Sequence, residues 1–387
     1  MGSMSQEPFG DIPLFRELQR LLSSGGGPIN RELARQIAGA LAADARPDPE
    51  PGVEFARHLS ELVHSSESVL SGYTRLPLEE PLQGRGVTRS WWVTETLDAW
   101  RWLLEHLAMR LSNQLGRLGP EASAEAQESS PMQAMMTQIG PLLMGMQTGT
   151  LIGHLAREQI GRYDLPIPRD DDGRLFVVVG NTERLAADFS LPTEDVEHWV
   201  VLQDAARALI VKGTSWVNSY FRSLLHELVD SLEIDAGALE SKLMELQGQT
   251  LESMQEGLGL QGGLPIVPSD RHRRALDRLQ AFVALFEGYA RHAYDQVAEE
   301  MLEHRQRIDE VMARRSASPS DGEEMLSAML GLSFDRTLER AGETFCAAVV
   351  SLQGLQVLNR VWDAPDNLPS LAEIRDPFAW IERVVSE

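Results

Sequence analysis

His226, Glu227 and Asp230 stand in the pentapeptide HELVD, whose first two residues match HExxH. In that motif two imidazoles four residues apart share a helix face and bind zinc, while the glutamate acts as general base on the metal-bound water. Asp230 could also bind a metal, but such a pentapeptide arises readily in a Glu/Leu-rich helix. Asp170-Asp171-Asp172-Gly173 has the look of a calcium loop yet lacks the later acids of an EF-hand, and reads as a solvated turn. Asp204 could serve as a base with Arg207 polarising a carbonyl, a hydrolysis that needs no metal. A metal bound by unconventional ligands would have to draw on Asp204, His154, His198, Glu287 and His292. His198 and Asp204 are six apart and do not share a helix face; Glu287 and His292 are five apart and diverge. His58, His64 and His106 have no metal-ligating partner at the required spacing and read as packing or surface residues. Cys346 as a nucleophile would need a neighbouring base, and a buried small hydrophobe is the better reading.

The element that must position Asp204 and Arg207 is Val196 to Val217, where Trp199, Val200, Leu202, Ala206, Leu209 and Ile210 recur at three- and four-residue spacing. That is the pattern of a helix buried along a broad face. Leu175 to Val179 ahead of it reads as a short buried strand, and Thr193 as the helix N-cap. Asn30 caps a helix through Leu41, Val53 starts one to about Ser71, Tyr73 to Gly86 is loop-like, and Thr88 to Leu118 is one long helix. Gly145, Gly149 and Gly153 place a small residue at every fourth position, so another helix can approach closely. Leu232 to Leu258 reads as helix, Gly257 to Pro268 as a loop, and Arg271 to Met312 as one long helix or two. An amphipathic helix at Leu14 to Leu22 precedes a Gly-rich linker, and Glu121 to Ser130 is a polar connection.

Several blocks carry a resemblance: PLFRELQRLLSSGGGPINRELARQIA (Pro13 to Ala38), GPLLMGMQTGTLIGHLA (Gly140 to Ala156), YDLPIPR (Tyr163 to Arg169), EGYARH (Glu287 to His292) and RRSASPSDGEEMLSAMLGL (Arg314 to Leu332). In that order the chain resembles the type-2 zincin-like metallopeptidases, a family assigned as zinc-dependent hydrolases of high-GC bacteria. The resemblance implies a mainly α, zincin-like helical domain over 29–387, with a short β element before the central helix, the Gly145 to Gly153 stripe lying against that helix, and an arm at 1–28. The central helix of that family carries HExxH, and the matching window here is Gln203-Asp204-Ala205-Ala206-Arg207. A neutral amide is a poor zinc ligand, and a guanidinium has no lone pair to give. Asp204 keeps a carboxylate at the base position but is one methylene shorter than Glu. The family's EGY acid, expected at the metal, is matched by Glu287, and Tyr289 matches a position that could stabilise an oxyanion in an active relative. Because an unpaired buried charge is costly, Arg207 should pair with Glu287, with Asp204 joining; the alternative is an Arg207 turned to solvent. The resemblance thus implies a catalytically inactive homologue with a vestigial site of Gln203, Asp204, Arg207, Glu287 and Tyr289, no cofactor, and a role in binding a protein or peptide, the Leu175 strand accepting it by β-augmentation. The alternative is a metal-dependent hydrolase that holds zinc through displaced ligands, Asp204, Glu287, His154 and His292 foremost.

The chain has 387 residues, 58 acids against 35 bases, and a formal charge of −23. Such a field repels phosphate backbones, which argues against nucleic acid as a partner. An apolar fraction of 43% and a charged fraction of 24% are those of a globular protein. The single cysteine allows neither an internal disulfide nor a cysteine metal cluster, and points to a reducing cytoplasm. Met132 to Leu155, the most membrane-like segment, is interrupted by Gln133, Thr137, Gln138 and Gln147, so no transmembrane span is expected. Met1-Gly2-Ser3 reads as an expression remnant before Met4.

Overall fold

A computed structural model describes residues 27–43, 48–116, 131–235, 237–238, 267, 269–331 and 336–385. The helix expected at Leu14 to Leu22, the connection Glu121 to Ser130 and most of the stretch from Leu232 to Pro268 lie outside the described residues.

Asn30 opens the first helix, α1 (Arg31–Ala42), by accepting the Leu33 N–H at 3.0 Å on its side-chain oxygen. Helix α2 (Val53–Thr74) follows, then a strand that the sequence does not announce, β1 (Gly84–Val87). The single long helix expected from Thr88 turns instead at buried Trp100 into α3 (Arg89–Ala99) and α4 (Arg101–Gly116). Next come α5 (Pro131–Glu158), β2 (Leu175–Val178) and, directly from that strand, α6 (Val179–Phe189). The central helix is α7 (Thr193–Gly213). Pro192, not Thr193, holds its cap position, and the helix stops short of Val217 at Gly213, where Thr214 turns extended and the missing Cβ leaves room for the Pro77 carbonyl oxygen, 2.8 Å from where that Cβ would lie. Beyond it run α8 (Val217–Ser231), α9 (Asp270–Met301), α10 (Arg305–Arg315), α11 (Asp321–Leu330), α12 (Arg336–Gln353), α13 (Leu355–Asn359), α14 (Leu371–Arg375) and α15 (Pro377–Val385). The chain is mainly α, as expected.

Strands β1 and β2 pair in parallel, Gly84 opposite Leu175 through Val87 opposite Val178. All four β2 residues are buried, and the Val178 N–H donates to the Ile160 carbonyl at 3.0 Å. With β1 along one edge, Ile160 bonded at Val178 on the other and all four residues buried, β2 is a core strand and not the exposed edge that peptide docking requires, which corrects the expectation placed on it. Glycines 84 and 86 are what let α2 lie on the sheet: a Cβ on Gly86 would come within 2.5 Å of the Phe55 ring.

The glycine stripe of α5 also faces elsewhere than expected. Cβ atoms at Gly145, Gly149 and Gly153 would meet Asn30, Ala34 and Leu41, so the stripe receives α1 and not the central helix. Helix α7 is instead enclosed by α2, α6, α9, α10 and β2. Every residue from Val200 to Ala206 is buried, so this helix is surrounded, not merely amphipathic. Its neighbour α9 is itself fixed from behind by α12: a Cβ on Gly342 would fall 1.8 Å from the Ala284 carbonyl oxygen, and one on Gly288 2.2 Å from the Gly342 carbonyl carbon.

Backbone contact of this kind leaves no side chain to move aside. Gly342→Ala is therefore expected to cost at least about 1–3 kcal/mol in denaturant unfolding. Gly72→Ala, in α2 with nothing within 4 Å of an added Cβ, should stabilise by roughly 0.5–1 kcal/mol in the same experiment.

Candidate functional site

Gln203 and Arg207 are one helical turn apart on α7, and Glu287 sits midway along α9, the helix facing them. The Arg207 guanidinium joins all three. Its Nε donates to Glu287 Oε2 at 3.0 Å and its Nη2 to the same oxygen at 2.6 Å. Its Nη1 donates to the Gln203 carbonyl at 2.9 Å and to Gln203 Oε1 at 3.1 Å. The side chains of Arg207 and Glu287 are only 15% and 12% exposed, which makes this a largely desolvated pair. Burial works against the Arg207 charge, but Glu287 more than restores it and holds the guanidinium above its usual basicity. The ion pair expected from the sequence is present.

Asp204 does not join it. Its two oxygens turn to the loop before β2, where Oδ2 accepts the Arg162 N–H at 2.6 Å and Oδ1 the Tyr163 N–H at 3.1 Å. Just behind, Asp164 Oδ2 accepts the Ile160 N–H at 2.6 Å and the Gly161 N–H at 3.2 Å. Four consecutive amides thus rest on two carboxylates, and Gly161 is needed because a Cβ there would lie 2.7 Å from Asp204 Oδ2. Burial, and then the neighbouring Asp164 charge, push Asp204 up to about 7 against the pull of Arg207 and the two amides. Burial likewise raises Asp164, opposed chiefly by Arg315.

The same loop contains a buried ion cluster that the sequence reading passed over. Asp171 accepts from Arg162 Nη2 at 2.6 Å and Nη1 at 3.0 Å, and from Arg169 Nε at 2.9 Å. Arg169 also donates to Thr96 Oγ1 at 3.0 Å and lies 5.1 Å from the Phe176 ring centroid. Burial alone would raise Asp171; hydrogen bonding and charge from Arg162, then Arg169, reverse this and hold it near 2. The Asp170 to Gly173 segment is therefore not simply a solvated turn. In block YDLPIPR the only signal was Arg169, an arginine closing a largely apolar stretch just before the acids.

Other candidates are dispersed. Tyr289 points away from Arg207 and donates to Asn359 Oδ1 at 2.8 Å, while Asn359 Nδ2 donates to the Thr74 carbonyl, tying α9 to the end of α2. His292 Nε2 lies 2.8 Å from the Tyr73 hydroxyl, and His154 Nδ1 lies 3.7 Å from Asp321, so neither faces the central helix. The three α9 residues diverge because their spacing of two and five turns them around the axis. In HELVD, His226 packs on the His106 ring at 4.7 Å and Asp230 meets His106 Nε2 at 2.9 Å, a surface cluster between α4 and α8 that no spacing along the chain could reveal. Cys346 is fully buried, and burial pushes its thiol well above the usual range. Among the described residues, no three His, Cys, Asp or Glu side chains are grouped to hold a metal ion. Nor do the central-helix residues fit zinc: an amide, a carboxylate already engaged by two amides, and a protonated guanidinium supply no tetrahedral donor set.

A family profile of zincin-like metallopeptidases matches residues 29–381, and the chain belongs to that family. A crystal structure from Chloroflexus aurantiacus, described as a candidate hydrolase with a novel fold, is similar at 25% identity and a TM-score of 0.66, covering 93% of this chain and 99% of that one. No curated protein matches. Among the described residues, no helix is long and apolar enough to cross a membrane.

Two outcomes follow from this geometry. Arg207→Leu strands the Glu287 carboxylate and should cost about 3–5 kcal/mol in denaturant unfolding, whereas Arg207→Leu with Glu287→Leu should recover most of the loss. The folded Asp204 carboxyl keeps its proton up to about 7 and the unfolded one only to 3.8. Its protonated form therefore favours the fold below 3.8, and that advantage is lost as pH rises to 7. Asp204→Asn should consequently be more destabilising at pH 5 than at pH 8, read from paired denaturation curves.

Proposed function

We propose that this zincin-like protein is catalytically inactive and acts by binding, as a scaffold, regulator or complex subunit in the cytoplasm, with a protein or peptide partner. The observation that supports this reading is the Arg207 guanidinium, which links Gln203 to Glu287 where the family resemblance places the metal ligands. A cation fixed on the side chain replaces one delivered from solution. It balances the charge of Glu287 and keeps the two helices together, but it cannot ionise a bound water or polarise a carbonyl as a Lewis acid. No cofactor is required.

A metal-free hydrolase with Asp204 as base draws support from its carboxyl being pushed up to about 7, within the useful range for a general base. Against it, Asp204 is 3% exposed and both oxygens hold backbone amides, so a substrate proton has no free acceptor there. The displaced-ligand reading lacks convergence, since His154, His292 and Glu287 face different neighbours.

Elemental analysis after a zinc soak and desalting tests the proposal. Wild type is expected to retain no stoichiometric zinc, while Gln203→His with Asp204→Glu and Arg207→His gains it. About one zinc per wild-type chain would overturn the inactive reading.

A further inference from the structure

The first turns of α7 carry a second buried polar group, six residues before the vestigial site. Glu197 is 5% exposed in the seam between α7 and α2. The group facing it is His58 of α2, with Nε2 at 3.5 Å from Glu197 Oε2, too loose to form a hydrogen bond. His58 Nε2 and the neighbouring His198 Nε2 are both buried without a hydrogen-bond partner. Well-packed seams rarely leave two imidazole nitrogens in this state beside a buried carboxylate, because each unmade bond costs stability.

We propose that Glu197 and His58 form a proton-sharing latch, which holds α2 against α7 while a proton resides in the pair and loosens when it leaves. With the proton present, the group carries either a neutral carboxyl beside a neutral imidazole or a compensated ion pair, and both are tolerable in a desolvated seam. With it gone, a bare carboxylate is left inside. The surroundings make that state worse. Glu183 from α6 and Glu194 from α7 add like charge, and Asp195 is already taken by His304 at the cap of α10, 2.5 Å away. On α2, Glu54 and Glu61 are occupied by exposed Arg57. Burial, then Glu183 and Glu194, push the Glu197 carboxyl up to about 7 from 4.5, and burial lowers His198. The latch has a mechanical reach, because α2 also covers β1, packing on Gly84 through Val63 and on Gly86 through Phe55. Release of this seam frees the cover over both the sheet and the central helix.

The folded carboxyl keeps its proton above the unfolded value of 4.5, so its contribution to the seam is complete below 4.5 and declines as pH rises to about 7. His198 acts in the opposite sense, so the comparison must be made against a variant lacking only the acid. Amide hydrogen exchange across α2 and α7 of the full chain, corrected for intrinsic rates, should report seam opening that grows between pH 5 and pH 7.5 by up to about tenfold per pH unit, the limit for one proton. In Glu197→Gln that rise should vanish. Independently, the side-chain carboxyl carbon shift of Glu197 in the wild type should pass through its transition near 7, well above 4.5. Matching exchange profiles for wild type and Glu197→Gln would overturn the latch; so would a Glu197 carboxyl signal that titrates at its ordinary 4.5, a result that does not require the variant to fold.

Discussion

The bond between Arg207 and Glu287 is the constraint around which two core helices, α7 and α9, are arranged. It lies in a region where water cannot compensate either charge, so each partner fixes the other's identity. The guanidinium is planar and presents its donors in a fork, which is why one side chain can reach an acid on α9 and still satisfy both a carbonyl and an amide on its own helix. A lysine would offer a single point of charge and leave Gln203 unserved. In metal-binding zincin chemistry, cohesion between such helices is supplied by an ion that can dissociate. Here Arg207, a covalently attached cation, links α7 to α9.

Asp204 has a different task from the one its position implies. A carboxylate one methylene shorter than glutamate sits close to the helix and is drawn to the amides of Arg162 and Tyr163. Together with Asp164 it gives the loop before β2 its shape, and that loop in turn carries the Arg162, Asp171 and Arg169 cluster toward Thr96 on α3. The polar groups of the core thus form a chain of contacts from α9 through α7 to α3, and burial makes every member dependent on its partner.

Much of this was legible in the residues. Threefold and fourfold apolar spacing located α7, the residue type at position 30 announced the first cap, and a run of β-branched and aromatic residues marked β2. An amide and a guanidinium at the two positions that the resemblance assigns to ligands, set beside the acid at 287, were enough to anticipate the ion pair. Other features depend on partners distant in sequence. Strand β1 is Gly-Arg-Gly-Val, with no strand propensity of its own, and exists because β2 and α2 hold it. The spacing of Gly145, Gly149 and Gly153 shows that something approaches closely but not what, and α1 took the place expected for α7. Asp171 read as solvated because acids in a row usually are, and only the fold brings two arginines to it.

The approach of α9 to α12 has a consequence for how the core is indexed. Gly288 is the residue after Glu287, and its bare Cα rests on the backbone of Gly342. Neither helix can rotate or slide there without forcing main chain into main chain, so α12 acts as a stop that sets the angular register of α9. The aim of the Glu287 carboxylate is therefore determined from the side of the helix opposite to its partner. A carboxylate held to that bearing meets whatever cation α7 presents, and the tolerance of the pairing is machined into two glycines and not into the charges themselves.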